Sequence, residues 1–287
     1  MLKPLLAKMS HLIPDAPYLK LRYWLKFHKK LELKHPRTFN EKSQWLKLHD
    51  RRPEYTMMAD KYEVKKYVAD KIGEEHIIPT LGVWNSFDEI DFDALPNQFV
   101  LKCTHDSGGI VICTDKATFD KDGARKKIQA HLKNNYFWHT REWPYKNIKP
   151  RIIAEQYMVD ESGVELKDYK IFCFDGSTKL IQVDFDRFTG HKRNVYTPDW
   201  ELVDLKMEYP KGDDKIITRP KELDKMLHFA SILSKGIPQV RVDFYYINDN
   251  IYFGEITFFH GSGYKRFTPA EWDEIMGSWI TLPEKTR

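Results

Sequence analysis

Arg241, Asp243, Glu255 and Thr257 have the types and spacing for metal and phosphate chemistry. They lie in Arg241-Val-Asp-Phe-Tyr-Tyr-Ile-Asn-Asp-Asn-Ile-Tyr-Phe-Gly-Glu-Ile-Thr257. Two runs rich in β-branched and aromatic residues flank Asn248-Asp249-Asn250, which predicts a β-hairpin. A turn centred on Asp249 puts Asp243 opposite Glu255 and Arg241 opposite Thr257. Side chains two apart on a strand share a face, so all four point the same way. Facing carboxylates repel unless a cation lies between them. A hard divalent ion such as Mg²⁺, held by one or two carboxylates and by substrate phosphates, resolves that conflict. The plainer alternative is two solvated carboxylates, one of them neutralised by Arg241.

A second stretch suits phosphate. Phe99-Val-Leu-Lys-Cys103 and Ile110-Val-Ile-Cys113 read as strands around Thr104-His-Asp-Ser-Gly-Gly109. The backbone N–H groups of such a tip can wrap a phosphate, and Gly108 and Gly109 permit close approach. Lys102 stands just before the loop. This is not a Walker loop, because Gly-Lys-Ser/Thr is missing and no helix follows at once. His105 reads as an exposed loop residue rather than a general base.

These residues need a scaffold, and the pattern outlines one. Thr38-Phe-Asn-Glu41 is a capping box opening a helix through Trp45 and Leu48. Residues 56–73 and 120–138 each read as one helix, and 221–235 as another. Short extended pieces include Leu81 to Trp84. Ile152 to Met158 is a strand, and Asp160 to Val164 turns. Asp168 to Phe174 and Lys179 to Phe185 pair about Asp175-Gly176. Asp184, Asp186, Arg187, His191, Lys192 and Arg193 form a charged cluster, and 194–220 reads as loop. Pro269 opens a short C-terminal helix. Antiparallel hairpins with helices between them predict an α+β fold.

Composition narrows the class. The 287 residues are 41% hydrophobic, which allows a packed core and excludes global disorder. A net charge of +4 is too mild to imply nucleic acid. The charge is uneven: residues 1–52 carry 13 Lys/Arg against four acids. There Leu19, Leu21, Tyr23, Trp24, Leu25 and Phe27 interleave with Lys20, Arg22, Lys26, Lys29 and Lys30. This reads first as an amphipathic helix docked on the main body. The alternative is peripheral contact of residues 1–35 with an anionic membrane, or with an acidic glycan. Cys103, Cys113 and Cys173 lack metal spacing and argue for a reducing compartment. No apolar run approaches a membrane span, and the first residues make a poor signal peptide, so a cytoplasmic protein is expected.

Several blocks in order resemble the ATP-grasp superfamily, and more closely its teichuronopeptide-biosynthesis-like branch, found with capsular polysaccharide genes. They are Pro36-Arg-Thr-Phe-Asn-Glu-Lys42 with Trp45-Leu-Lys-Leu-His-Asp50, Ala59-Asp-Lys61, Phe99-Val-Leu-Lys102 with its glycine loop, and Ile153-Ala-Glu-Gln-Tyr157. Asp168-Tyr-Lys170, Arg241-Val-Asp243 and Gly254-Glu-Ile-Thr257 complete the set. The resemblance implies an α+β ATP-grasp fold: two subdomains with antiparallel sheets enclose ATP, and a basic helical extension precedes them. It suggests segments 1–55, 56–98, 99–158 (the small subdomain with the flap) and 159–287 (the large subdomain with the metal site).

The resemblance also implies roles. Lys61 would lie on the phosphate side and Lys102 would contact the α- or β-phosphate. His105, Ser107, Gly108 and Gly109 would belong to a mobile flap. Glu155, Gln156 and Tyr157 would form a hinge against adenine, with Glu165 or Asp168 near the ribose and Lys170 among the nucleotide contacts. Asp243 and Glu255 match the metal carboxylates; Thr257 stands where many relatives have Asn. Arg241 would steady an acyl phosphate, and Arg193 an anionic substrate. The implied reaction joins an amine or amino acid to a carboxylate with ATP and Mg²⁺. The carboxylate would belong to a uronic acid in a saccharide or nucleotide sugar. Arg141, Lys146 and Lys149, with Tyr136, Trp138, Trp143 and Tyr145, are candidates for holding it. Two alternatives stay open. One is a sugar kinase using Asp184, Asp186 or His191 as base; the other is a nucleotide-binding module with little turnover.

Overall fold

The computed structural model describes residues 10–160, 166–186, 190–212 and 217–284. Glu165, Arg187 and the Glu161–Val164 part of the expected turn lie outside them. The α-helices are α1 (Asp15–Phe27), α2 (Phe39–His49), α3 (Glu54–Ala59), α4 (Glu63–Ile72), α5 (Lys121–Leu132), α6 (Tyr136–Thr140), α7 (Leu223–Ser234) and α8 (Trp272–Ser278). The strands are β1 (Thr80–Trp84), β2 (Phe99–Cys103), β3 (Ile110–Cys113), β4 (Ile152–Gln156), β5 (Asp168–Phe174), β6 (Ser177–Phe185), β7 (Lys192–Tyr196), β8 (Lys206–Met207), β9 (Val240–Ile247), β10 (Asn250–Thr257) and β11 (Phe267–Thr268). The fold is α+β, and its two larger sheets are antiparallel throughout. The chain divides into two compact units, one formed by residues 53–159 and the other by the segments on either side.

The contiguous unit is built on a sheet of order β1-β4-β2-β3. One face, with Phe99, Leu101, Ile152 and Ala154, packs on Ala124 and Ile128 of α5 and on Phe87. The expected helix over 56–73 is two helices. The Asp60 carboxylate accepts from the N–H groups of Tyr62 and Glu63, restarting the chain as α4. Its other oxygen takes Arg151 Nη2 at 2.7 Å. The expected helix over 120–138 is also two, because Asn135 Oδ1 accepts from Phe137 N–H and caps α6. In both places a short polar side chain offers the backbone a cap that competes with continued helix.

The discontinuous unit holds a five-stranded sheet of order β10-β9-β5-β6-β7. Its apolar face, including Ile171, Cys173, Val242 and Phe244, is buried, and α7 packs on β5, β6 and β9. Strand β7 corrects the expectation that 194–220 is loop. Lys192 to Tyr196 pairs along β6, and a charged start hid a run that is apolar only at Val195 and Tyr196. Helix α2 opens on Thr38 with both capping-box bonds formed. Its inward side chains hold the loop after β10. Asn40 Nδ2 donates to Lys265 O, Gln44 Nε2 to Gly263 O, and Lys47 Nζ to Ser262 O.

Candidate active site

Strands β9 and β10 form the expected hairpin, with Asp243 opposite Glu255 and Arg241 opposite Thr257. The route to that register differs from the expectation. The turn is the two residues Asn248-Asp249, both at positive φ (49° and 61°). Such a turn pairs Phe244 with Phe253, which would set Asp243 against Gly254. A β-bulge at Gly254 inserts one residue and shifts the register, bringing Glu255 onto the face of Asp243.

That face carries a dense ionic network. Arg241 grips Asp243 in a bidentate pair, with Nε to Oδ1 at 2.6 Å and Nη2 to Oδ2 at 2.7 Å. Its Nη2 also donates to Glu255 Oε1 and Thr257 Oγ1, both at 3.1 Å. Lys170, opposite Asp243 on β5, donates to Asp243 Oδ2 at 3.0 Å and to Asp168 Oδ2 at 2.5 Å. Burial pushes the Asp243 carboxyl up, against the pull of Arg241 and Lys170. The repulsion foreseen between the two acids is thus relieved by a guanidinium among Asp243, Glu255 and Thr257. Among the described residues no group of three or more His, Cys, Asp or Glu is arranged to hold a metal by itself. Two carboxylates and a hydroxyl are donors of the kind Mg²⁺ takes alongside water and substrate phosphates. Arg241 Nη2 touches all three, so a bound ion would have to displace it from Glu255 and Thr257 and share Asp243 with it.

His260 is a residue that sequence reasoning missed. It is buried, and its Nδ1 lies 2.9 Å from Arg241 Nη1. A guanidinium only donates, so Nδ1 accepts and the ring is neutral with its proton on Nε2. Burial, then the charges of Arg241, Arg193, Lys265 and Lys170, hold its pKa well below the ordinary value. No local signal marks this role; the loop after β10 brings the ring to Arg241.

In the contiguous unit the decisive group is Glu155. Its carboxylate is buried and takes Lys65 Nζ at 2.5 Å and Lys102 Nζ at 2.6 Å. Burial alone would push Glu155 up; the Lys102 and Lys65 charges outweigh it and hold it below the ordinary glutamate value. Lys65 was not singled out from the sequence, where it is one of several lysines on a helix. Beside Lys102 on its sheet face run Val100, Ile110 and Ile112, and Ile112 is 51% exposed. Lys61 Nζ donates to Asp106 O at 2.7 Å, and its N–H donates to Thr104 O. Gln156 lies at the exposed end of β4, where its N–H donates to Pro79 O; Tyr157 follows it, half-buried.

The glycine loop is anchored more deeply than expected. His105 is buried, not exposed at a tip, and its Nε2 faces the carbonyls of His131 and Asn134 at 3.2 Å. Asp106 pairs with His131 Nδ1 and accepts from Ser107 N–H. The exposed tip is Ser107-Gly108. Gly109 is confined: a Cβ there would lie 2.8 Å from Cys103 Sγ.

Two further expectations are corrected. Arg141 is fully buried, lies over the Phe137 and Trp138 rings, and donates to Trp138 O. Its burial counts against the expected role of holding an acidic substrate. Arg193 is buried too, and clamps Asp184 through Nε and Nη2 at 2.5 and 3.0 Å. That clamp occupies both Asp184 oxygens, which counts against Asp184 as a base.

A model of the TupA-like ATP-grasp family matches residues 41–281. The chain belongs to that family. No curated protein matches this ATP-grasp chain. Among solved structures it is similar to D-alanine–D-alanine ligase from Bacillus anthracis, at 16% identity and a TM-score of 0.38. That match covers 76% of this chain and 58% of the ligase. It is similar also to D-cycloserine synthetase DcsG, at 15% identity and a TM-score of 0.44, covering 79% and 71%. The ATP-grasp ligase PsnB, solved with a precursor variant, Mg and ADP, matches at 10% identity and a TM-score of 0.42, covering 72% and 52%. The chain thus spans little more than half the length of the first of these.

Proposed function

We propose that this ATP-grasp chain is an ADP-forming carboxylate–amine ligase that works through an acyl phosphate. The observation that carries the reading is the bulged hairpin, which gathers Arg241, Asp243, Glu255 and Thr257 on one face. Asp243, Glu255 and Thr257 would hold Mg²⁺, which when bound neutralises charge on the β- and γ-phosphates. Lys102 and Lys65 exchange part of their pairing with Glu155 for ATP phosphate oxygens. The N–H groups around Ser107-Gly108-Gly109 cover those oxygens. Val100, Ile110 and Ile112 offer an aliphatic surface to the base. Glu155 keeps the two lysines apart and aimed. Lys61 steadies the loop through Asp106.

The acid's carboxylate oxygen attacks the γ-phosphorus while the bond to the bridging oxygen breaks and ADP leaves. Arg241, held by His260 and Asp243, balances charge on the acyl phosphate. The amine nitrogen then attacks the acyl carbon, losing a proton as inorganic phosphate departs. No protein nucleophile is needed; Cys103, Cys113 and Cys173 are buried. The acid is read as a uronic acid and the setting as surface-polysaccharide synthesis, supported by the resemblance to the teichuronopeptide branch.

Phosphorus NMR of the protein with Mg·ATP, mixed amino acids and a panel of uronic acids and nucleotide-linked uronic acids tests this. ADP and free phosphate should appear only when an amine and a carboxylate are both present. AMP with pyrophosphate would overturn the mechanism. ADP with a new phosphomonoester and no free phosphate would mean a sugar kinase.

A further inference from the structure

We propose that the outward face of α1 binds an anionic lipid bilayer. Helix α1 has two faces with different partners. Its inward face buries Leu19 and Tyr23 against Leu31 and Tyr264, and Tyr18 is buried as well. Arg22 lies over the Tyr18 and Tyr264 rings, so this cation belongs to the packed side. Folding of α1 is accounted for by that face alone. Yet Trp24 stays 51% exposed and Leu21 36% on the opposite face, one helical turn apart, and Leu12 just before the helix is 74% exposed.

Lysines share this segment of the chain. Lys20, Lys26, Lys29, Lys30 and Lys34 are exposed. The two acids of the segment are engaged elsewhere. Asp15 pairs with Arg51 at 2.5 Å. Glu32 accepts from the N–H groups of Lys34 and His35. An exposed tryptophan and leucines in a segment rich in exposed lysine are the pattern of a helix lying in a bilayer interface: the apolar groups enter the acyl boundary while the lysines meet anionic headgroups. An acidic glycan would satisfy the lysines but gives Leu12 and Leu21 nothing. No helix among the described residues is long and apolar enough to cross a membrane.

The full chain would be pelleted with vesicles of phosphatidylcholine alone or mixed with phosphatidylglycerol, at low and at molar salt. Binding is expected only to the mixed vesicles and should fall at high salt, where screening reaches a few ångströms, about 3 Å. Trp24→Ala, and separately Lys29→Glu with Lys30→Glu, should each weaken partitioning about tenfold. Acyl-chain bromination should quench wild-type fluorescence more than that of Trp24→Phe. Equal pelleting with neutral vesicles, or wild-type partitioning by Trp24→Ala, would overturn the proposal. Pelleting without quenching would overturn it too, in favour of charge recognition of an acidic polymer. Nucleotide binding by Trp24→Ala should match wild type, so failure here leaves the ligase reading standing.

Discussion

Asp243 and Glu255 face each other across β9 and β10 only because Gly254 is one residue more than the ladder needs. Without the bulge Glu255 would pair with Val242 and point to the sheet's apolar side. The two acids also differ in setting. The Asp243 side chain is 2% exposed and that of Glu255 is 43%.

That difference separates stability from activity. Asp243→Asn leaves two buried cations short of a partner and should cost about 3 kcal/mol in denaturant unfolding. Glu255→Gln should cost under about 1 kcal/mol. Both should lower Mg-dependent ATP turnover by about a hundredfold or more. Full turnover in Glu255→Gln, with its fold intact, would remove the carboxylate pair from the mechanism.

Glu155 should set an acid limit on the contiguous unit. Its folded pKa is depressed, so its contribution is present above the ordinary glutamate value, about 4.3, and is lost as pH falls below it. Thermal unfolding between pH 3 and 6 should show this slope, and Glu155→Gln should flatten it. Lys65→Met should raise KM for ATP more than it lowers kcat.

His260 should act through Arg241. Its depressed pKa means that the unfolded chain binds the extra proton, so this residue's contribution declines as pH falls below about 6.5. His260→Leu leaves a buried guanidinium N–H without its acceptor and should cost roughly 1–3 kcal/mol. Displacement of Arg241 should cut kcat by about tenfold or more. His260→Asn restores an acceptor oxygen and should recover part of both. Equal losses in the two variants would mean a packing role alone.

The glycine loop offers a steric test. Gly109→Ala puts a methyl group against Cys103 Sγ and should cost about 1–3 kcal/mol, with a raised KM for ATP. At Gly108 a Cβ would meet only His131 Cε1, at an ordinary contact distance of 3.4 Å, but φ is +110°, so Gly108→Ala should strain the tip rather than the core. Hydrogen exchange of the 104–109 amides would tell the two apart.

What could be read beforehand was local. The capping box at Thr38 and Glu41, the strands around Asp175-Gly176, and the face shared by Arg241, Asp243, Glu255 and Thr257 follow from spacing of two or three residues. What could not be read depends on distant partners. Asp60 meets Arg151. Lys65 and Lys102 meet at Glu155. His260 meets Arg241. The hairpin register was foreseen through a single-residue turn centre, but a two-residue turn plus one bulged residue gives the same pairing. Parity alone cannot tell these apart. In sequence Arg141 reads as a substrate contact because its neighbours are polar and aromatic; as the left-handed residue ending α6 it instead lies buried over the Phe137 and Trp138 rings.

The grip of α2 on the loop after β10 also constrains the order of events on the ribosome. Asn40, Gln44 and Lys47 find their partners at Ser262, Gly263 and Lys265, more than two hundred residues later in synthesis. Residues 53–159 hold all the strands of their own sheet and can close as soon as they emerge. The first helices must wait through that whole interval with their apolar stripes uncovered. A nascent chain stalled before residue 260 therefore carries one finished unit and one set of orphaned helices, with apolar surface open to aggregation.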